Sequence, residues 1–136
     1  MTMIFVNLPV ADLARSRAFY EALGFTINED FSDETAASVV ISDTIYVMLL
    51  TREKMKTFTS LPIGDAGKET QHLIALSRDS RADVDAIHDA AVASGGKTFR
   101  PTEDHGWMYT RSFADPDGHV WEPVFMDMGA ASGPPE

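Results

Sequence analysis

Residues 3–9 form a short apolar run containing β-branched and aromatic side chains, the pattern of a buried strand. Asp12 then offers a helix N-cap, Leu13, Phe19, Tyr20 and Leu23 recur at near-helical spacing, and Gly24 stands where a helix stops. Three strand-like runs follow, at residues 25–31, 36–42 and 45–51, divided by the turn clusters SDET and SDT. The order then begins again. HLIALS at residues 72–77 is strand-like, Ser80 caps a helix with the apolar stripe Val84, Ile87 and Ala91, and Gly95-Gly96 ends it. Further strands are predicted at residues 97–101, 107–114 and 119–125. Each half therefore reads strand, helix, strand, strand, strand, and a repeat of this length points to duplication of one supersecondary unit.

Residues 52–70 connect the halves. TREKMKTFT predicts a short amphipathic helix with Met55 and Phe58 turned inward, and LPIGDAGKE predicts a turn-rich, mobile stretch. A connection this long serves either as a binding loop or as a plain linker. The last eight residues, 129–136, have no apolar content to fold with and are expected to be disordered. The organisation is thus a single domain over 1–128, with one module at 3–51, the linker, and a second module at 71–126.

A length of 136 residues suits one domain, and 44% hydrophobic with 24% charged residues is an ordinary globular composition. The formal charge of -10, with eleven dispersed Lys and Arg, argues against a nucleic-acid partner, which needs a basic face. No run is long enough to span a bilayer, and the apolar start lacks a signal peptide's basic flank, so no membrane association and a cytoplasmic location are expected. The absence of cysteine excludes disulfides, thiolate metal sites and cysteine nucleophiles.

The richest motif is ADPDGHVWEP at residues 114–123. Pro116 presets a type I turn and Gly118 supplies the left-handed residue after it, a three-residue hairpin with a glycine bulge. That register sets Asp115 opposite His119, Phe113 opposite Trp121, and Ser112 opposite Glu122. Thr110, Ser112, Val120, Glu122 and Val124 then share one face, while Phe113, Trp121 and Phe125 form an aromatic row on the other. A two-residue turn would instead place Arg111 opposite Glu122 as an ion pair; the bulged form is preferred because it joins the two aromatics.

The repeated βαβββ order, with LPVADLARSRAFYEALGF opening the first half and RSFADPDGHVWE closing the second, resembles the vicinal oxygen chelate superfamily. That group includes glyoxalase I, extradiol dioxygenases, fosfomycin-resistance enzymes and bleomycin-resistance proteins. The resemblance spans about residues 3–126 and implies an α+β fold of two paired βαβββ modules, the glyoxalase/bleomycin resistance/dihydroxybiphenyl dioxygenase fold, with a ligand cavity walled by the sheets. It also implies that the pairing modules often come from two chains, so a homodimer is expected. Fold alone does not fix the chemistry. A ferredoxin-like α+β domain is the other fold reading, disfavoured by the third strand in each half.

Metal-dependent members of that superfamily place ligands on the first and last strand of each module. The matching positions here are Phe5, Leu49, Leu73 and Glu122, of which Glu122 alone has a donor atom. A divalent ion needs several nitrogen or oxygen donors, so no cofactor is the preferred expectation and a metal the lesser one. With Phe5, Leu49 and Leu73 around it and no cation beside it, Glu122 would have its pKa raised by desolvation and serve as a proton shuttle or hydrogen-bond acceptor; the alternative is a carboxylate held by backbone or water. His72 adjoins a ligand position, but strand alternation points it away from Leu73 unless a bulge at Gln71 or His72 intervenes. Asn7 shares the parity of Phe5, Thr110 and Ser112 share that of Glu122, and His105 sits in a polar loop within reach of a ligand. Tyr109 has core parity, and His88 and His119 read as structural or solvent-facing.

Two functions follow. The preferred one is a small-molecule binder of the bleomycin-resistance type, with an apolar cavity contacted by Phe5, Asn7, Leu49, Leu73, Thr110, Ser112 and His105. The alternative is a glyoxalase-like lyase or dioxygenase that uses Glu122 as catalytic residue or ligand with unconventional partners such as His72, Asn7 or His105.

Overall fold

The computed structural model describes residues 1–129; the expected disorder of the tail, from position 130 on, lies outside them. The first half runs β1 (Ile4–Val10), α1 (Leu13–Ala22), β2 (Thr26–Asn28), β3 (Ala36–Val40) and β4 (Ile45–Thr51). Asp12 caps α1 by accepting a hydrogen bond from the Arg15 amide, and the chain leaves the helix through Gly24 at φ 103°. The sheet has the order β1-β4-β3-β2, with β1 parallel to β4. The predicted strand at residues 25–31 is shorter than expected, because its second part, Glu29–Phe31, forms a single 3-10 turn with the Asn28 side chain as cap.

After the short helix α2 (Arg52–Met55), the second half contains β5 (Leu73–Ser77), α3 (Arg81–Ala93), β6 (Lys97–Thr98), β7 (Glu103–Asp104), β8 (Met108–Thr110), β9 (Phe113–Ala114) and β10 (Val120–Met126). Ser80 caps α3, whose buried residues Val84, Ile87, His88 and Ala91 follow the spacing of one helix face. Strand β10 pairs in parallel with β5 and antiparallel with β8 and β9. Those two fragments keep one register, since Thr110 faces Val124 and Phe113 faces Trp121. They are one strand interrupted at Arg111-Ser112, where the register brings up Pro123, which has no N–H to give the ladder. With β6 and β7 likewise paired outside β9 and β8, the sheet repeats the plan of the first half. The two halves are two copies of a βαβββ unit, and the α+β class holds.

A shared core joins the halves. Leu8, Val10, Val39, Val47 and Leu49 from the first sheet pack with Phe19 and Tyr20 of α1, Ile87 and Ala91 of α3, and Phe113 and Trp121 of the second sheet. At its centre the Tyr20 hydroxyl donates to Asp115 Oδ2 at 2.6 Å and accepts from Trp121 Nε1 at 3.0 Å. The β9–β10 turn is the expected bulged hairpin: the Asp115 amide donates to the His119 carbonyl at 2.8 Å, and Gly118 lies at φ 96°. Its side chains reach the first half. Asp117 Oδ1 accepts from the Ala11 amide at 2.8 Å, its Oδ2 accepts from Ser16 Oγ at 3.2 Å, and His119 Nε2 donates to the Pro9 carbonyl at 2.7 Å. His119 is therefore a buried joint between the halves.

The linker departs from expectation in two places. Phe58 is exposed rather than inward, with Lys54 Nζ 5.6 Å from its ring centre, because α2 ends at Met55 and carries no buried residue for Phe58 to pack beside. The stretch expected to be mobile is held in place. Arg52 donates to the carbonyls of Ile63 and Gly64 at 2.8 and 3.1 Å, and Gly67 packs so closely on the hairpin that a Cβ on Gly118 would lie 2.6 Å from its backbone. No helix among the described residues is long and apolar enough to cross a membrane.

Replacing Tyr20 by Phe keeps the ring but leaves a buried carboxylate oxygen and an indole N–H without partners. We expect a loss of about 3 kcal/mol in unfolding free energy, read from urea denaturation. Gly118→Ala adds a methyl against Gly67 at a positive φ and should cost about 2 kcal/mol in the same assay.

Candidate functional site

Each sheet packs one face on the core and leaves the other open. In the first sheet the parallel register pairs Phe5 with Tyr46 and Asn7 with Met48 on the open face, and then Pro9 with Leu50, which is covered and buried. The Phe5 and Tyr46 rings stack with centroids 5.1 Å apart and planes 13° from parallel. Phe5 and Asn7 are both exposed there, as their parity predicts. Leu49 is not. It pairs with Leu8, belongs to the core cluster and is fully buried against the helix side. Because Leu49 and Leu50 are both apolar, alternation in IYVMLLT does not reveal which of them turns outward, and the parallel register with β1 decides it.

On the second sheet the open face carries Leu73, Ala75 and Ser77 of β5 beside Val120, Glu122 and Val124 of β10. Leu73 is exposed, and Glu122 sits among these residues with 14% of its side chain accessible. Thr110 and Ser112 share this face but are buried, and both hydroxyls are engaged: Thr110 Oγ1 donates to the Pro123 carbonyl at 2.7 Å, and Ser112 Oγ accepts from the Arg100 amide at 3.2 Å. Both hold the sheet beside the broken ladder, Thr110 as donor and Ser112 as acceptor.

Glu122 does have a cation beside it, contrary to the expectation from the hairpin alone. Arg100 Nη2 donates to Glu122 Oε2, while Arg100 Nη1 donates to Glu103 Oε1 at 2.5 Å. Glu103 Oε2 lies 3.3 Å from Nε2 of the exposed His105. The group is a chain of alternating sign, Glu122–Arg100–Glu103–His105. The hairpin register excluded Arg111, and Arg100 arrives from the bend between β6 and β7, where the Phe99 amide donates to the Ser112 carbonyl at 3.1 Å. The desolvation of Glu122 is thus offset by a guanidinium, which removes the premise of an uncompensated carboxylate acting as proton shuttle. Arg100 and Glu103 escaped the sequence reading. The available signal was a lone arginine in TFRPTED, at the end of the strand-like run predicted to lie beside the penultimate strand.

Arg81 of α3 fixes the loop that carries this group. Its guanidinium grips Asp104 with two hydrogen bonds of 2.7 and 2.9 Å, donates to the Gly106 carbonyl at 3.0 Å, and lies 4.8 Å above the Tyr109 ring. Tyr109, on the helix side as its parity predicts, donates its hydroxyl to Asp85 at 2.7 Å. His88 is buried and spans from α3 to Thr98 Oγ1 at 2.9 Å.

The donor set does not fit a divalent metal. Of the four positions implied for ligands, Phe5 and Leu73 have no donor, Leu49 is in the core, and Glu122 is bound to Arg100. Among the described residues no three His, Asp or Glu side chains converge on one point. His72 does not join Glu122, because β5 starts at Leu73 and runs in unbroken register with β10, without the bulge that would swing the ring across. Instead its ring lies parallel to that of His119, with centroids 6.0 Å apart. Asn7 lies on the other sheet. Of the three suggested partners, only His105 belongs to the Glu122 group, through Glu103.

The hydrogen bonds from Arg81, and then its charge, hold the Asp104 carboxyl down at about 2. A depressed value means that the pair's contribution is present above the ordinary carboxylate range and is lost as pH falls through about 2. In Arg81→Gln the Asp104 midpoint, followed by carboxyl NMR, should rise toward the ordinary carboxylate value without reaching it, because the Gly106 amide still donates to Asp104 Oδ1.

The chain matches the family described as the glyoxalase/bleomycin resistance protein/dioxygenase superfamily over residues 2–122. Solved structures agree in fold. Hypothetical protein SA1046 from S. aureus superposes with a TM-score of 0.79 at 23% identity, covering 92% of this chain and 94% of that one. A glyoxalase-related enzyme from Fulvimarina pelagi gives 0.78 at 20% identity, over 92% and 88%. The fosfomycin resistance protein FosX from Listeria monocytogenes gives 0.67 at 20% identity, over 92% and 93%. No curated protein matches. The duplicated βαβββ units, the hairpin that closes the second of them and the family match over 2–122 lead to one conclusion: this chain belongs to the glyoxalase/bleomycin resistance protein/dioxygenase superfamily.

Proposed function

We propose that this protein binds a small molecule on the open faces of its sheets without a resident catalytic metal, in the manner of the bleomycin-resistance branch of its superfamily. The observation that carries this reading is the Arg100 guanidinium bonded to Glu122, the one donor among the four implied ligand positions. A positive charge already stands beside that carboxylate. The stacked Phe5 and Tyr46 rings and the exposed Leu73 offer apolar surface, while Arg100 and His105 offer polar contacts. Such a mixture suits a ligand with a flat apolar body and a polar group that orients it.

A second copy of the chain belongs to the same proposal. Strands β1 and β5 each pair on one side only, and Ile4, Phe5 and Leu73 on them are about half exposed. Unpaired edges flanked by apolar side chains favour burial against another molecule. Sedimentation at micromolar concentration should give twice the chain mass, and a monomer there would refute the dimer.

The binding reading is tested by thermal shift. Small apolar molecules carrying a polar group should raise the melting temperature, whereas Ni, Fe, Mn, Zn and Mg salts should leave it unchanged. Protein purified without chelator is expected to contain no stoichiometric metal by elemental analysis; finding one would favour the lyase or dioxygenase alternative, with Glu122 as ligand. Arg100→Ala should abolish binding of any ligand found in the screen and lower stability by about 2 kcal/mol, since it leaves Glu122, 14% exposed, without its counter-charge.

A further inference from the structure

A hollow away from the Glu122 group lies under the linker. It is a cavity of about 550 Å³ between the linker and the β9–β10 hairpin, walled by Leu61, Pro62, Asp65 and Glu69 of the linker and by His72 and His119. Its volume falls within the range of small-ligand sites, roughly 300–1,000 Å³. The linker wall is anchored, by Arg52 on the carbonyls of Ile63 and Gly64 and by the backbone contact of Gly67 with Gly118. The cavity is therefore a built feature of the fold and not a gap under a loose loop.

Its side-chain chemistry is rich in acceptors. Asp65 and Glu69 bring two exposed carboxylates to one wall. At another wall, His119 is 4% exposed and spends Nε2 on the Pro9 carbonyl. A carbonyl can only accept, so Nε2 carries the hydrogen, and Nδ1 of the neutral ring is a lone pair. Among the described residues that Nδ1 has no hydrogen-bond partner, although it is buried. Buried polar atoms in native proteins are nearly always met by a partner, a water or a ligand. Beside it, burial and the neighbouring His119 hold His72 below the ordinary imidazole value, so at neutral pH this ring too presents an acceptor nitrogen. Leu61, Pro62 and Val120 add apolar surface, and Thr70 and Gln71 add neutral polar groups.

We propose that this linker-walled cavity is a binding site for a small organic cation, an amine or amidine on an apolar ring, whose N–H groups are taken by Asp65, Glu69 and the unpartnered His119 imidazole. The exposed His72 ring, stacked beside His119, is the rim group that turns aside to admit it. The site shares no residue with the Glu122–Arg100 group, although Val120 lines both it and the open sheet face; the test therefore reads signals of His72, His119, Gly67 and Gly118, which the function proposed above does not use.

Benzamidine is the probe, with neutral benzamide and anionic benzoate as matched controls, followed by NMR of 15N-labelled protein. Benzamidine should shift the imidazole nitrogens of His72 and His119 and the amides of Gly67 and Gly118 saturably, and the controls should not. The double variant Asp65→Asn, Glu69→Gln, which preserves the Asp65 carbonyl that caps the Gly67 amide, should weaken binding about tenfold. Absence of these shifts up to ~10 mM benzamidine, a weak limit for a fragment of this size, would overturn the proposal. Equal response to the three probes, or unchanged affinity in the double variant, would also overturn it, leaving the Nδ1 of His119 to an ordinary bound water.

Discussion

The structure depends on a buried hydroxyl shared between the two halves at the centre of their core. Tyr20 comes from the first helix, and its oxygen lies between Asp115 and Trp121 of the last hairpin. Burial pushes the Asp115 carboxyl up from its ordinary value and, with the Asp115 charge, pushes the Tyr20 hydroxyl well up too. Each group is costly to bury alone. Together, with the amides of Asp117 and His119 also donating to Asp115, they satisfy one another and fix the hairpin against α1 in one orientation. Asp117 at the start of α1 and His119 at the end of β1 extend the same joint to the surface.

This joint explains why the hairpin motif is so dense in polar residues. Asp115, Asp117 and His119 face the first module, while Glu122, further along β10, faces the open side of the sheet. The turn thus has a structural duty that separates it from the chemistry of the strand it introduces. It also forms a wall of the linker cavity, since Gly118 leaves room for Gly67 to settle on the turn. One hairpin positions the module interface, the sheet face and the cavity rim at once.

The Glu122–Arg100 pair has a different origin. Beside the break at Pro123, Ser112 holds the incoming segment twice, its side-chain Oγ accepting from the Arg100 amide and its carbonyl from the Phe99 amide. Those two contacts fix Arg100 next to the sheet, where its guanidinium supplies the counter-charge of the half-buried Glu122.

The sequence by itself determined the duplicated βαβββ order, both helix caps, the bulged hairpin and the face on which Phe5, Asn7, Leu73 and Glu122 lie. All of these follow from local rules: capping residues, turn residues and the two-residue period of a strand. Only the tertiary structure decided that Leu49 enters the core, that Thr110 and Ser112 spend their hydroxyls on the backbone, that Arg100 neutralises Glu122, and that the linker packs down over His72 and His119. Each of these depends on which segment lies beside which across many residues of sequence. That choice is made by the packing of the whole chain and not by the preferences of any stretch of it.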